Sequence, residues 1–236
     1  MLNFTYSIPT KVHFGKGQIS HLTELKQSGS RVLLVYGGGS IKRAGIYDEA
    51  IRLLTGAGMT VSELPGVEPN PRIESVRRGV EICKTENIDM VLAIGGGSTI
   101  DCAKVIAAGA KYDGDAWDLV LNSSLIQSAL PIYTVLTLSA TGSEMDGIAV
   151  ISDLEKNEKW ATAAACMKPV MSILDPEYTY SVSKKQTAAG TADMISHIFE
   201  NYFTPVKGAD VQAGFCEAQL KTAFKYGPIA MEEPTN

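Results

Sequence analysis

The sequence predicts an α/β protein, a parallel sheet with helices between its strands, followed by a stretch that is helical only. Three observations lead there. Short, continuous apolar runs alternate with segments of helical periodicity up to about residue 183. Two of those runs end in the same Gly-Gly-Gly-Ser turn. Beyond that point the strand-like runs stop.

Arg31–Tyr36 (RVLLVY) is short, aliphatic and uninterrupted, the pattern of a strand buried on both faces. A helix is expected over Ile46–Ala57, stopped by Gly58. Thr60–Leu64 reads as a second strand, and Glu68-Pro69-Asn70-Pro71 as a turn. Ile73, Val76, Val80 and Ile82 share one face of a helix over Ile73–Glu86. Asp89–Ile94 (DMVLAI) is a third strand, followed by the second glycine turn and a helix reaching about Ala110. Pro131–Leu138 (PIYTVLTL) is the next buried strand. Alternation of this kind builds a parallel sheet with crossover helices. Ala149–Ser152, with polar Asp153–Lys159 after it, suggests a small hairpin, and Ser172-Ile173-Leu174-Asp175-Pro176 closes the α/β region. Gln186–Phe203 and Val211–Phe224 then read as helices. The division is therefore 1–183 and 184–236, the second part short for an independent helical domain.

The chain has 236 residues, 45% of them hydrophobic and 20% charged, with a formal net charge of -5. These values describe an ordinary soluble globular protein, and a mild acidic excess without basic clusters argues against a nucleic-acid partner. There is no run of about 18 apolar residues to span a membrane and no secretory signal at the start. Cys83, Cys102, Cys166 and Cys216 lack C-x-x-C spacing and are read as buried reduced thiols, which with the missing signal suggests a cytoplasmic protein. Trp117 and Trp160 are expected in packing.

The repeated turn is the strongest internal motif. Gly37, Gly38, Gly39 and Ser40 follow one strand, and Gly95, Gly96, Gly97 and Ser98 another. Successive glycines at a strand-to-helix turn let backbone N–H groups approach an anion closely, and the helix start favours negative charge. Lys42 and Ile100 stand where a G-x-G-x-x-G fingerprint needs its third glycine, and a single GGGS is often only a flexible turn. A third polar turn, Thr137 to Glu144, follows the next strand, so all three belong on the edge where open parallel sheets bind ligands. Alone, it reads equally well as a capped helix start. Asp193 and His197, at i and i+4, share one helix face. Such a pair can hold a divalent ion or be a solvated polar face, and spacing alone favours the latter.

Five stretches, in order, resemble the iron-containing (group III) alcohol dehydrogenases in their butanol dehydrogenase branch. They are Lys11 to Gly17 (KVHFGKG), Gly95 to Lys104 (GGGSTIDCAK), Ala140 to Met145 (ATGSEM), Ser172 to Glu177 (SILDPE) and Gly190 to His197 (GTADMISH). The resemblance implies a Rossmann-like dinucleotide-binding domain over 1–183 and the start of an all-helical metal-binding domain over 184–236, cut short. It implies reversible hydride transfer between NAD(P)H and a primary alcohol or aldehyde, in an enzyme that is a homodimer at full length. Gly95–Ser98 would hold the pyrophosphate, Asp101 would stand near the nicotinamide end, Thr137, Thr141 and Ser143 would contact phosphates or ribose, and Lys159 would reach the cofactor. NAD-using relatives tend to carry an aspartate where Gly39 stands. Its absence, with Ser40, Lys42 and Arg43 nearby, points to NADP(H) over NAD(H). Asp193 and His197 match two of four ligands to a divalent metal, Fe2+ or Zn2+, the other two lying further along the family's chain, so impaired turnover is expected. Asp146 departs from an expected asparagine, and its charge puts a cofactor contact in doubt. The alternatives are a non-catalytic cofactor-binding fragment and a glycerol-dehydrogenase-like or dehydroquinate-synthase-like enzyme, against which Glu144-Met145 and the Asp193/His197 pair speak.

Overall fold

A computed structural model describes Asn3, Thr5 and residues 7–235. By internal contacts the chain divides into two compact units: residues up to Thr137 together with Gly142–Asp175, and Leu138–Thr141 together with the chain from Pro176 onwards.

The first unit is built on a six-stranded sheet. Its strands are β1 (Lys11–Phe14), β2 (Arg31–Tyr36), β3 (Thr60–Leu64), β4 (Met90–Gly95), β5 (Ile132–Leu136) and β8 (Met171–Leu174), in the order β1-β8-β5-β4-β2-β3. Every pairing is parallel. β4 and β5 are buried along their whole length and β2 along all but its first residue, which is why their sequences are unbroken apolar runs. The crossover helices are α1 (Ser40–Arg43) with α2 (Ile46–Gly56), α3 (Ile73–Thr85), and α4 (Gly97–Gly109) with α5 (Ala116–Leu121). α4 is the central helix: all but two of its residues are buried. Its apolar face completes a core with Leu33, Val35, Val91, Ala93, Ile132 and Ile151. β6 (Ile148–Asp153) and β7 (Glu158–Ala163) form the separate antiparallel hairpin.

The sequence reading lacks β1, α1, α5, a 3-10 helix over Gln18–Ser28 and several one-turn 3-10 helices. β1 has four residues at the sheet edge with no buried run, so it leaves no apolar signature. Two side-chain expectations are corrected. Trp160 is 53% exposed, because it lies on the outer side of β7, whereas Trp117 is buried in the core. Cys166 is exposed in a one-turn 3-10 helix, whereas Cys83, Cys102 and Cys216 are buried. Among the described residues no helix is long and apolar enough to cross a membrane.

The second unit contains α6 (Lys184–Tyr202) and α7 (Asp210–Glu232). Ser183 caps α6 by accepting from the Gln186 N–H. Lys184 pairs with Glu232, Gly227 lies against Thr191, and Tyr202 Oη donates to Glu217 Oε1 at 3.2 Å, so the helices run antiparallel. α7 extends past the expected end at Phe224, through Pro228. A proline there gives up one backbone bond only a turn from the helix end.

Candidate functional site

β2, β4 and β5 are neighbours and parallel, so the Gly37–Ser40, Gly95–Ser98 and Thr137 turns stand side by side on one sheet edge. The chain runs from β2 to β3 on one side, and β4 lies on the other. The direction of winding thus reverses between the two strands that carry the glycine turns, the place where open α/β sheets bind ligands. Backbone bonds knit this edge: Thr137 N donates to Gly95 O at 3.0 Å and Gly66 N to Gly37 O at 3.2 Å.

The second turn is shaped by close approach. A Cβ on Gly95 would stand 2.5 Å from Thr99 Oγ1, so only glycine lets α4 start directly over the end of β4. Gly96 is the N-cap residue and no side chain caps the helix, which leaves backbone N–H groups of a 13-residue, axially aligned helix facing the strand ends. The first turn is open. Gly39 has φ of 96°, a conformation that side chains other than glycine rarely take, and a Cβ there would meet the Arg43 guanidinium at 4.0 Å. A Cβ on Gly38 would meet nothing.

The other expected residues fall into two groups. Lys159, on β7, donates to Asn70 Oδ1 at 2.7 Å, and the Asn70 N–H donates to Ser98 Oγ at 3.3 Å. Asn70 thus ties Lys159 to the second turn. Sequence reading took Asn70 only as part of a turn, although an asparagine between two prolines, here with φ of 53°, is a marked feature. The second group is a buried network. Ser143 Oγ donates to Asp101 Oδ1 at 2.6 Å and accepts from Lys104 Nζ at 2.8 Å. Asp101 Oδ2 accepts from the Val150 N–H at 3.0 Å. Lys104 completes its three bonds with Asp146 Oδ1 and Ile148 O, both at 2.8 Å. An ammonium with no solvent exposure has all three donors satisfied. Burial pushes the Asp101 carboxyl above its ordinary range, against the bonds from Ser143 and Val150. Burial also lowers the Lys104 pKa, with Asp146 opposing. Asp146 therefore spends its charge on Lys104. Sequence reading missed Lys104, and Asp146 was its visible half. Thr137 is half-buried and Thr141 exposed.

A second cluster missed by sequence reading borders the first turn. Tyr36 Oη and Tyr47 Oη donate to the two oxygens of Glu63 at 2.6 and 2.7 Å. Lys42 Nζ lies 4.3 Å from the Tyr47 ring centroid and 5.2 Å from that of Tyr36, and 4.0 Å from Glu63. Burial raises the Glu63 pKa most strongly as a single influence, but the tyrosine hydroxyls and Lys42 outweigh it and the net shift is downward. Glu63 sits some two dozen residues after the first turn, near the end of the next strand, where an acid often meets a coenzyme ribose.

In the second unit, Asp193 and His197 lie on α6 with Oδ2 and Nε2 3.7 Å apart, their side chains 43% and 54% exposed. One carboxylate and one imidazole on a shared face suit a divalent ion, with room for further ligands.

A family model described as iron-containing alcohol dehydrogenase matches residues 9–176. NADH-dependent butanol dehydrogenase A of Clostridium acetobutylicum is 62% identical over 99% of this chain and 60% of its own. The NADPH-dependent aldehyde reductase YqhD of Escherichia coli is 41% identical over 100% and 61%. The crystal structure of NADH-dependent butanol dehydrogenase A from Thermotoga maritima superposes with a TM-score of 0.96 at 41% identity, over 99% of this chain and 59% of that one. The chain thus spans about three-fifths of the length of these relatives. The family match, its residue span and this fold agree: the chain belongs to the iron-containing alcohol dehydrogenases.

Proposed function

We propose that this chain carries the coenzyme-binding part of an alcohol dehydrogenase or aldehyde reductase, which moves a hydride between a nicotinamide coenzyme and a primary alcohol or aldehyde. The observation that carries the reading is the pair of glycine turns at adjacent strand ends on either side of the winding reversal. The free N–H groups at the start of α4 hold the coenzyme's pyrophosphate, and Ser98, with Lys159 anchored through Asn70, closes around it. Asp101 and Ser143 are fixed by Lys104 beside that turn, so their part is to hold the wall of the site rigid. Thr137 and Thr141 offer hydroxyls to phosphate or ribose.

Asp193 and His197 would hold a divalent metal together with ligands from elsewhere. Such an ion supplies Lewis acidity to the alcohol oxygen. Two ligands alone would hold such an ion weakly.

NADP(H) is the preferred coenzyme in this reading. The first turn has no acid to repel a 2′-phosphate, and Arg43 stands at the Gly39 position. A second reading, NADH, is favoured by the names of two relatives and by Glu63, which engages Lys42. Fluorescence titration with NADPH and NADH tests both. NADPH binding in the micromolar range, tighter than NADH, is expected. Tighter NADH binding reverses the preference, and no response to either at millimolar concentration overturns the site.

A further inference from the structure

The proposed coenzyme site leaves Lys11 to Gly17 without a role, yet this segment carries the most anomalous side chain of the first unit. His13 lies on edge strand β1, where Val12 and Phe14 are exposed and His13 alone turns inward, 12% exposed. Its Nε2 is buried and has no hydrogen-bond partner. A buried polar atom left unpaired is destabilising, so it calls for an explanation.

What Nε2 faces supplies one. His21 and Glu24 are three residues apart on the 3-10 helix Gln18–Ser28, where three residues make one turn and i, i+3 side chains stack over each other. The His21 ring lies against that of His13, centroids 3.5 Å apart and planes 15° off parallel. Glu24 Oε1 is 2.6 Å from His21 Nδ1 and 3.8 Å from His13 Nε2. One ligand atom from each of the three residues lies within 4.8 Å of the other two. Lys11 Nζ holds the other oxygen, Oε2, at 2.8 Å, which orients the carboxylate and leaves Oε1 for a second partner.

We propose that His13, His21 and Glu24 form a binding site for a borderline-soft divalent transition ion such as Zn2+, distinct from the Asp193/His197 pair. Two imidazole nitrogens and one carboxylate oxygen are a donor set that selects Zn2+, Co2+ or Ni2+ over Mg2+ and Ca2+. Around an ion with bonds of about 2.0–2.1 Å, ligand atoms sit roughly 3.3 Å apart. The Glu24 Oε1 contact to His21 therefore opens by under about 1 Å and that to His13 closes by less. Lone pairs of two parallel rings do not converge, so His21, the more exposed ring at 35%, tilts out of the stack on binding. The ion would pin β1 to the 3-10 helix.

The test is calorimetric and spectroscopic, on the full chain freed of metal with EDTA. The double variant D193N/H197N silences the other pair. With it, Zn2+ is expected to bind at one ion per chain and raise the melting temperature, and Co2+ to give visible absorption bands that Zn2+ displaces and Mg2+ does not. Adding H21Q, at a part-exposed position that spares the fold, should weaken binding by at least about tenfold and remove the thermal shift. Absence of Zn2+ binding to D193N/H197N, or binding that H21Q leaves unchanged, overturns the site.

Discussion

α4 and α7 are two helices in opposite surroundings. In α4, only Ser98 and Asp101 escape full burial, and beside three alanines and a lysine its sequence carries the weaker helix formers Gly, Ser, Thr, Ile and Val. In α7, 23 residues long, only Cys216, Leu220 and Gly227 are buried, while Phe215, Phe224 and Tyr226 are more than half exposed. α4 is a helix because a sheet face and two neighbouring helices require it. α7 is a helix by its own alanines, glutamines and lysines and by one antiparallel partner. The first should open only when its whole unit unfolds, and the second should open locally at a much smaller cost.

Thiol labelling gives this contrast its largest readout, since each helix carries one cysteine. Burial pushes the Cys102 thiol up to about 12, which leaves about a thousandfold less thiolate than an ordinary cysteine at pH 8. Cys83 is pushed up to about 12 as well. Under native conditions a disulfide reagent should modify exposed Cys166 at once, Cys216 more slowly through local opening of α7, and Cys102 and Cys83 only on the timescale of global unfolding. Peptide mapping by mass spectrometry orders the sites. Cys102 reacting with Cys216 would break the comparison.

Next in size is the ion pair between Lys104 of α4 and Asp146. K104M leaves Asp146 without its cation and Ser143 and Ile148 without a donor, and should cost about 3 kcal/mol in chemical denaturation. Asp146 is 39% exposed, which places the cost at the lower end for a buried pair. D146N keeps an acceptor and should cost about 1 kcal/mol. Equal losses in both variants would mean that the charge, not the bond, holds the network.

A pair of glycine substitutions separates packing from propensity. Gly214, in α7, has open space where a Cβ would go, so G214A should stabilise the helical unit by about 1 kcal/mol. Gly190, in α6, would place its Cβ 2.8 Å from the Ser139 carbonyl oxygen, so G190A should instead destabilise it, by about 1–3 kcal/mol, despite the same gain in propensity. Hydrogen exchange of α6 and α7 amides reads both, and a gain in G190A would show that the Ser139 contact yields.

The same contrast explains what was legible in the sequence. Strands buried on both faces announce themselves, and β2, β4 and β5 coincide with their apolar runs to within a residue or two. β1 and the 3-10 helix were hidden because an edge strand of four residues with one inward side chain has no period to detect. At the site, the glycine turns were readable because backbone geometry forces a residue type. Lys104, Asn70 and Glu63 were not, because each acts through a partner 27 to 89 positions away, and a hydrogen bond across the fold leaves no local pattern. Asp146 stands out in the sequence as an anomaly, but its partner Lys104 lies 42 positions away on α4.

The smallest expected effect decides the coenzyme. Glu63 holds Lys42 against two tyrosine rings beside the open first turn, and it can act in two ways. If the 2′-phosphate of NADPH is taken by this turn, Glu63 partly neutralises the cation that would meet it, and E63Q should tighten NADPH binding about threefold while leaving NADH unchanged, an effect that fades in high salt. If Glu63 itself accepts a ribose hydroxyl, E63Q should weaken NADH and leave NADPH little altered. The two readings move different coenzymes in opposite directions. Paired titrations at low and high ionic strength therefore separate them even where each change is small, and a loss confined to NADH would overturn the preference for the phosphorylated coenzyme.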